Sequence, residues 1–408
     1  MKALHFASYP TVLPQHGGQL RVSAMKKALA DAGVEAVSIA AFDDMHYHDF
    51  GPLDIPVPDS RFKPYWHDHP WDATLSAVVN NNPDLRTRFI ENVRKANADV
   101  YVFEHPWLWP LVREVLKTDP DLERPMVFDA HNAEAVLLRE MLVKQLDGRL
   151  SDHDKWLIEY VFELEHELCE AAELVIACTQ SDLDYFTSHY RIRAGAVFSN
   201  GINLPSKVSD AVRGRYAKRF EGVRLAGFVG SAHPPNAEGF EALCGDNFGY
   251  LPPDNRIAIV GGVCDLIYNR SRENLFVALN DSRCDYLGRL PQEDLDAVLA
   301  RCDVILLPIL TGGGSNLKTA EALVSGKTIL STSLAFRGYD EFRDFPTVNI
   351  VDDPKAWRFR LRDLLAADRL PTLSAEQKEQ TKSLLWENIL KGYPECIKGI
   401  SGTQEGIL

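Results

Sequence analysis

Short apolar runs alternate with stretches of helical periodicity along most of this chain. In the first half the runs predict strands at 2–7, 36–40, 100–103, 126–129, 174–177 and 196–198. The pattern then restarts, with strands expected at 225–229, 256–260, 285–287, 304–307, 328–331 and 348–350. Helical stretches fill most of the intervals. The clearest is 154–172, where Trp156, Tyr160, Leu164, Leu168 and Ala171 fall at helical spacing. Strand–helix alternation of this kind implies parallel sheets covered on both faces. Two series of similar spacing imply two domains of one architectural class, without a residue-level repeat.

Two segments interrupt the rhythm. Residues 203–222 are short of large apolar residues and rich in Lys and Arg, and read as a linker. Residues 43–85 carry Pro52, Pro56, Pro58, Pro64, Pro70 and Pro83, with Tyr65, Trp66 and Trp71 among them. They read as a long irregular insert, which in an α/β domain is more often a binding loop than a defect. The aromatic residues there either stack on a ligand or anchor the loop. His46-Tyr47-His48 and His67-Asp68-His69, with Asp43, Asp44 and Asp49 nearby, lack a metal-ligand spacing, and no metal is expected.

The 408 residues suffice for two ordinary domains, and 45% hydrophobic with 25% charged residues is a globular balance. A formal net charge of −14 argues against nucleic acid as a partner. The odd count of 7 cysteines, none in C-x-x-C spacing, suits free thiols in a reducing cytosol. The N-terminus runs straight into a strand without a signal-peptide core. No apolar run approaches the roughly 18 residues a membrane span needs. A cytoplasmic location is expected, with room for peripheral attachment at the inner membrane face.

Residues 303–326 carry the most chemistry. A buried strand ends at Pro308, and Gly312-Gly313-Gly314 follows. Ser315 is a natural N-cap, and a helix then runs to Gly326, which suits a left-handed C-cap. Glycines admit a ligand close to the backbone, and a helix N-terminus aims free N–H groups at an anion. Lys318 falls in the first turn, where a cation opposes the helix dipole at a cost of about 0.3–1 kcal/mol. A bound diphosphate would restore the balance. Glu321, three residues on, shares that face and could accept hydrogen bonds from ribose hydroxyls.

At this segment the sequence resembles the retaining glycosyltransferases of family four, which have the GT-B fold. The resemblance spans nearly the whole chain in order. It runs through Gly17-Gly18, Asp129-Ala130-His131-Asn132, Cys178-Thr179-Gln180-Ser181 and Ser199-Asn200-Gly201-Ile202-Asn203. It continues through Phe228-Val229-Gly230-Ser231 and Tyr286-Leu287-Gly288-Arg289-Leu290 to the glycine loop.

The resemblance implies an α/β chain of two Rossmann-like domains whose parallel sheets face across a cleft. The first would be an acceptor-side domain, 1–203, with the C-terminal helix, 382–408, packing back on it. The second, 223–381, would bind the donor, a nucleotide-diphosphate sugar, with hinge closure around it. Lys318 would bind the diphosphate and Glu321 the ribose. Gly17, Gly18, Gly313, Gly314, Ser315, Asn316 and Leu317 would line the diphosphate and sugar. The family's first glutamate falls on Gly313, which leaves the donor sugar open. The stretch from Gly230 to Asn236 has no Lys or Arg where a second cation is usual, and Arg289 is the nearest substitute.

Transfer with retention would need no metal or cofactor beyond the co-substrate. Charge grows on the leaving diphosphate, so preorganised positive groups there carry catalysis. His131, after a strand end, either assists the sugar or acceptor or caps its loop. Gly17-Gly18 is either an amide site or a helix-entry turn. The acceptor would be a surface polysaccharide, a lipid-linked sugar or a metabolite. Three rivals stand beside this reading. A nicotinamide enzyme lacks its G-x-G-x-x-G here. A nucleotide-sugar epimerase needs a carboxylate pair that cannot be placed from sequence. A catalytically inactive sugar-nucleotide-binding homologue is suggested by the missing glutamate and cation.

Overall fold

The computed structural model describes residues 1–14, 16–63, 71–205, 207–311 and 316–401. The chain forms two compact units: Met1–Asn200 with the segment from Trp386 onward, and Gly201–Leu385. Each is built on one parallel sheet.

Unit 1 has β1 (Lys2–Ala7), β2 (Glu35–Asp43), β3 (Ile55–Val57), β4 (Val100–Phe103), β5 (Met126–Ala130), β6 (Leu174–Ala177) and β7 (Gly195–Val197), in the order β3-β2-β1-β4-β5-β6-β7. Alternate residues of one strand enter different cores. Leu4, Phe6, Tyr101, Phe103 and Phe128 pack on one face, and Ala3, Val100, Val102 and Val127 on the other. Burial on both faces is why these strands read as continuous apolar runs. The second face is completed by Trp386, Leu390, Tyr393 and Ile397 from the C-terminal segment.

Unit 2 has β8 (Arg224–Val229), β9 (Asn255–Val260), β10 (Cys284–Gly288), β11 (Val304–Leu307), β12 (Thr328–Ser331) and β13 (Val348–Ile350), in the order β10-β9-β8-β11-β12-β13. Here too Leu225 and Ile305 face one core while Ala226, Val304 and Leu306 face the other. All seven cysteines are free. Among the described residues no helix is long and apolar enough to cross a membrane.

Three expectations are corrected. Residues 210–219 form a helix of unit 2, not a linker, because Val212, Tyr216 and Phe220 make an i, i+4, i+8 stripe that packs into its core. The described residues of 43–85 hold more regular structure than expected. They hold β3, a short helix Asp59–Phe62, and the helix Trp71–Asn80, which packs Leu75, Val78 and Val79 into the core. Pro56 is tolerated because β3 is an edge strand, and Pro83 because it opens the next helix. Tyr65, Trp66, His67 and His69 lie outside the described residues. In the helix Asp152–Ala171 the buried face is set by Val161, Leu164, Glu165 and Leu168. Trp156 lies about 140° around the helix from Val161 and stays 45% exposed.

Tyr393 is fully buried, edge-on to Phe198 with ring centroids 5.5 Å apart. Tyr393→Ala should destabilise the chain by about 3–5 kcal/mol, as large-to-small aromatic substitutions in cores do. Equilibrium unfolding in urea measures this, and a loss well under 1 kcal/mol would show that the C-terminal segment contributes little to unit 1.

Candidate functional site

In unit 2 the strand order reverses between β8 and β11, where open parallel sheets leave a crevice at the carboxyl ends of their strands. Each of these two strands is followed by a helix, Pro234–Cys244 after β8 and Leu317–Ser325 after β11. Neither has an acidic residue in its first turn. Asn316 is the N-cap of the second helix, its Oδ1 accepting from the Lys318 amide at 3.1 Å. The Tyr339 hydroxyl donates to the Asn316 carbonyl at 3.0 Å, and Thr319 Oγ1 to the Ala335 carbonyl at 2.6 Å. These bonds fix where the helix starts.

Lys318, in that first turn, is half-buried and its Nζ donates to Asn236 Oδ1 at 3.0 Å. Asn236 sits in the first turn of the other helix and donates back to the Ser231 carbonyl and hydroxyl at 3.2 and 3.1 Å. One lysine thus ties two helix N-termini together. Desolvation lowers the Lys318 pKa, against the opposing pull of Glu321. Glu321 is raised, again by desolvation first, while Lys318 lowers it. Its outer edge is exposed, but together the two side chains line a cavity of about 40 Å³ against β11. Gly239 is buried where a Cβ would meet the Pro308 carbonyl oxygen at 2.1 Å, so only glycine lets its helix approach the end of β11 this closely.

In unit 1 the corresponding reversal lies between β1 and β4. Glu104, at the end of β4, is fully buried and joins His5 Nδ1 at 2.5 Å and His131 Nε2 at 3.0 Å. His131 Nδ1 lies 3.2 Å from the Tyr9 hydroxyl. Both imidazole nitrogens are therefore engaged, and desolvation pushes the His131 pKa down to about 3. It stands neutral in a Tyr9–His131–Glu104 chain. Gly18 is explained by that chain, because a Cβ there would meet the Tyr9 hydroxyl at 2.3 Å. The helix Gly17–Asp31 behind it has no side-chain cap and no acid in its first turn.

Asp129 forms a buried ion pair with Arg21 at 2.6 Å, and Arg21 also donates to the Phe198 carbonyl at 2.8 Å. The N-terminus of the helix Glu134–Gln145 is occupied by the protein itself. Glu165 accepts from the Glu134 and Ala135 amides at 2.6 and 3.2 Å and from the Tyr190 hydroxyl at 3.0 Å. Desolvation lifts Glu165 to about 7, and desolvation followed by the charge of Glu165 lifts Glu134 to about 8. A separate pocket of about 470 Å³ in unit 1 is lined by Tyr9, His16, Phe42, Asp43, Tyr47 and Asp72, with Ser8, His46 and Leu75.

The expected site residues are thus sorted by the structure. Lys318, Asn316 and Glu321 share one helix end. Leu317 is packed against the core and has only its amide to offer. Gly313, Gly314 and Ser315 lie outside the described residues. Gly230 is required by packing, since a Cβ there would meet Val263 at 2.9 Å. Arg289 is exposed after edge strand β10, with β9 and β8 between it and β11. Sequence reasoning missed Asn236, Tyr9, Glu104 and Arg21. Glu104 was open to discovery as a charged residue directly after an apolar run, but the others are joined to their partners by folding alone. No group of three or more His, Cys, Asp or Glu among the described residues could hold a metal ion.

Comparison with known proteins bears on this arrangement. Residues 224–367, from β8 to the helix Pro354–Ala366, match the family model of glycosyl transferases group 1. No curated protein sequence matches the chain. Among solved structures, sucrose-phosphate synthase from Thermosynechococcus elongatus is 14% identical with a TM-score of 0.72, over 99% of this chain and 100% of that one. Anabaena HepE in complex with UDP-glucose is 15% identical with a TM-score of 0.65, over 98% and 100%. WaaG, a glycosyltransferase involved in lipopolysaccharide biosynthesis, is 15% identical with a TM-score of 0.61, over 97% and 99%. The fold is GT-B, with two Rossmann-like units. The stretch 224–367 of the second unit is similar to the glycosyl transferases group 1 family.

The raised carboxyl of Glu134 carries a pH signature. The unfolded chain releases this proton near the ordinary glutamate pKa and the folded chain only near 8. The stability it contributes is therefore present at low pH and lost as pH rises through 8. Glu134→Gln should gain stability relative to the parent at pH 8.5 compared with pH 5. Urea unfolding at both pH values checks it, and parallel stability curves for the two proteins would refute the assignment.

Proposed function

We propose that the chain transfers a sugar from a nucleotide-diphosphate sugar to a hydroxyl acceptor with retention of anomeric configuration. The diphosphate would lie at the Lys318 end of unit 2. The observation that carries this reading is the desolvated Lys318 ammonium, tied to Asn236 between two helix N-termini inside the stretch that matches the glycosyl transferases. An anion at that point meets a cation with the Asn316 and Leu317 amides beside it. Glu321, on the same helix face, would accept from the ribose hydroxyls. That HepE was solved with UDP and with UDP-glucose supports a donor of this type.

The reaction breaks the bond between the anomeric carbon and the phosphate oxygen and forms one to the acceptor oxygen. Negative charge gathers on the leaving diphosphate, where Lys318 and the amides of Asn316 and Leu317 stabilise it. A leaving phosphate oxygen takes the acceptor proton, so no enzymic base or metal is required. His131 fits a positioning role better than an acid–base one, because both its ring nitrogens are committed. Unit 1 would serve the acceptor, a carbohydrate or glycolipid. A cytoplasmic setting suits such a donor, and peripheral membrane attachment would follow from a lipid-linked acceptor.

Thermal denaturation with UDP, GDP, ADP, TDP and NAD tests the donor class. One nucleoside diphosphate should raise the melting temperature, because a ligand bound only by the native state stabilises it. Stabilisation by NAD alone would refute the reading. Lys318→Ala should lower turnover by about 100-fold or more with the fold intact, the usual loss when one preorganised donor to a developing anion is removed. Near-parental turnover would remove Lys318 from the mechanism. An inactive homologue would bind the nucleotide yet release no free sugar from the matching donor.

A further inference from the structure

The unit 1 pocket has a composition that selects among acceptors. Its volume of about 470 Å³ is within the range of small-molecule sites. Its walls are aromatic on several sides. Tyr9 stands edge-on to His16 with ring centroids 4.7 Å apart, and Phe42 edge-on to Tyr47 at 5.6 Å. Such faces cover the C–H surfaces of a sugar ring. The polar groups are carboxylates, hydroxyls and imidazoles. No lysine or arginine lines the pocket among the described residues, and the sequence 64–70, which leads into Asp72 and its neighbours, contains none.

The two carboxylates are differently placed. Asp43 has both oxygens in use, one accepting from the Met45 amide at 2.9 Å and one paired with His46 Nδ1 at 2.8 Å. Asp72 accepts no hydrogen bond from the described residues. Its side chain is exposed, and although desolvation lifts its pKa to about 6 it stays mostly ionised at pH 7. His16 bonds the Tyr47 hydroxyl at 3.3 Å, and desolvation lowers its pKa, so it brings no cation. The Tyr9 hydroxyl is oriented from behind by His131 and Glu104.

Given the transferase reading above, we propose that this pocket receives an uncharged, hydroxyl-rich acceptor group and that Asp72 sets this specificity by accepting two of its hydroxyls. A carboxylate is an acceptor only, and a polyol supplies the donors it lacks. A phosphate monoester carries about −1.5 to −2 charges at pH 7 and would face Asp72 with no lysine or arginine among the described lining residues to offset the repulsion. The pocket therefore rejects phosphorylated sugars and polyols.

Saturation-transfer NMR on the full chain without donor tests the proposal. The probes are the matched pairs glucose and glucose 6-phosphate, fructose and fructose 6-phosphate, and myo-inositol and its monophosphate. At least one neutral member should bind about tenfold or more better than its phosphate. Asp72→Asn should weaken that binding about fivefold or more at an unchanged melting temperature, and Asp72→Lys should bring the phosphorylated partner level. A phosphate bound as well as its neutral partner by the parent chain, or neutral binding unchanged in Asp72→Asn, would overturn the proposal. So would failure of every neutral member to bind. Nucleoside diphosphate binding, followed in the same samples, separates the two readings. Nucleotide binding without neutral-sugar selectivity sinks this proposal alone, and selectivity without nucleotide binding sinks the donor reading alone.

Discussion

A parallel strand buried on both faces has no side left for water, so its chemistry is confined to its ends. That constraint organises both halves of this chain. Alternate residues of β8 and β11 are consumed by opposite cores, and only where the strands stop do Lys318, Asn236 and Glu321 find room. In unit 1 the same rule brings Tyr9, Glu104 and His131 together after β1, β4 and β5. Both groups gather where neighbouring strands send their connections opposite ways.

The two ends differ in what desolvation does to them. At Lys318 and Glu321 a cation and a carboxylate lie on one helix turn, the lysine half-buried and the glutamate exposed, and partial desolvation raises the cost of both charges while each favours the other. An arriving anion changes that balance in favour of the cation. In unit 1 burial has silenced the titration instead. His131 is held neutral, and the Tyr9 phenol is pushed far above its ordinary range by burial and then by nearby carboxylates. Such groups hold and orient hydrogen bonds; they do not exchange protons near neutral pH.

The strands were legible because two-sided burial writes a continuous apolar run, and the helix Leu317–Ser325 because glycines bracket it, although its cap is Asn316 and not the expected Ser315. Edge strand β3 was hidden by Pro56, which argues against a central strand but not against an edge. The helix at 210–219 was hidden because Tyr216 and Phe220 are only two large residues in a strongly basic stretch, and their stripe has meaning only once a core receives it. Asn236 was illegible for another reason. It stands 82 residues from Lys318, and an amide at that spacing carries no pattern until the β8 and β11 ends are brought together. The same holds for Tyr9 and His131, 122 residues apart.

The path of the chain has a consequence for how it is made. Unit 1 begins at the first residue, yet one face of its sheet is completed only by Trp386, Leu390, Tyr393 and Ile397. Everything in Gly201–Leu385 must leave the ribosome before those side chains arrive. During synthesis, which delivers N-terminal domains first, the apolar face made by Ala3, Val100, Val102 and Val127 is therefore covered only in part, by Met25 and Leu29. The later unit can close its own core at once, whereas the earlier one must wait. The order of translation and the order of completion are reversed.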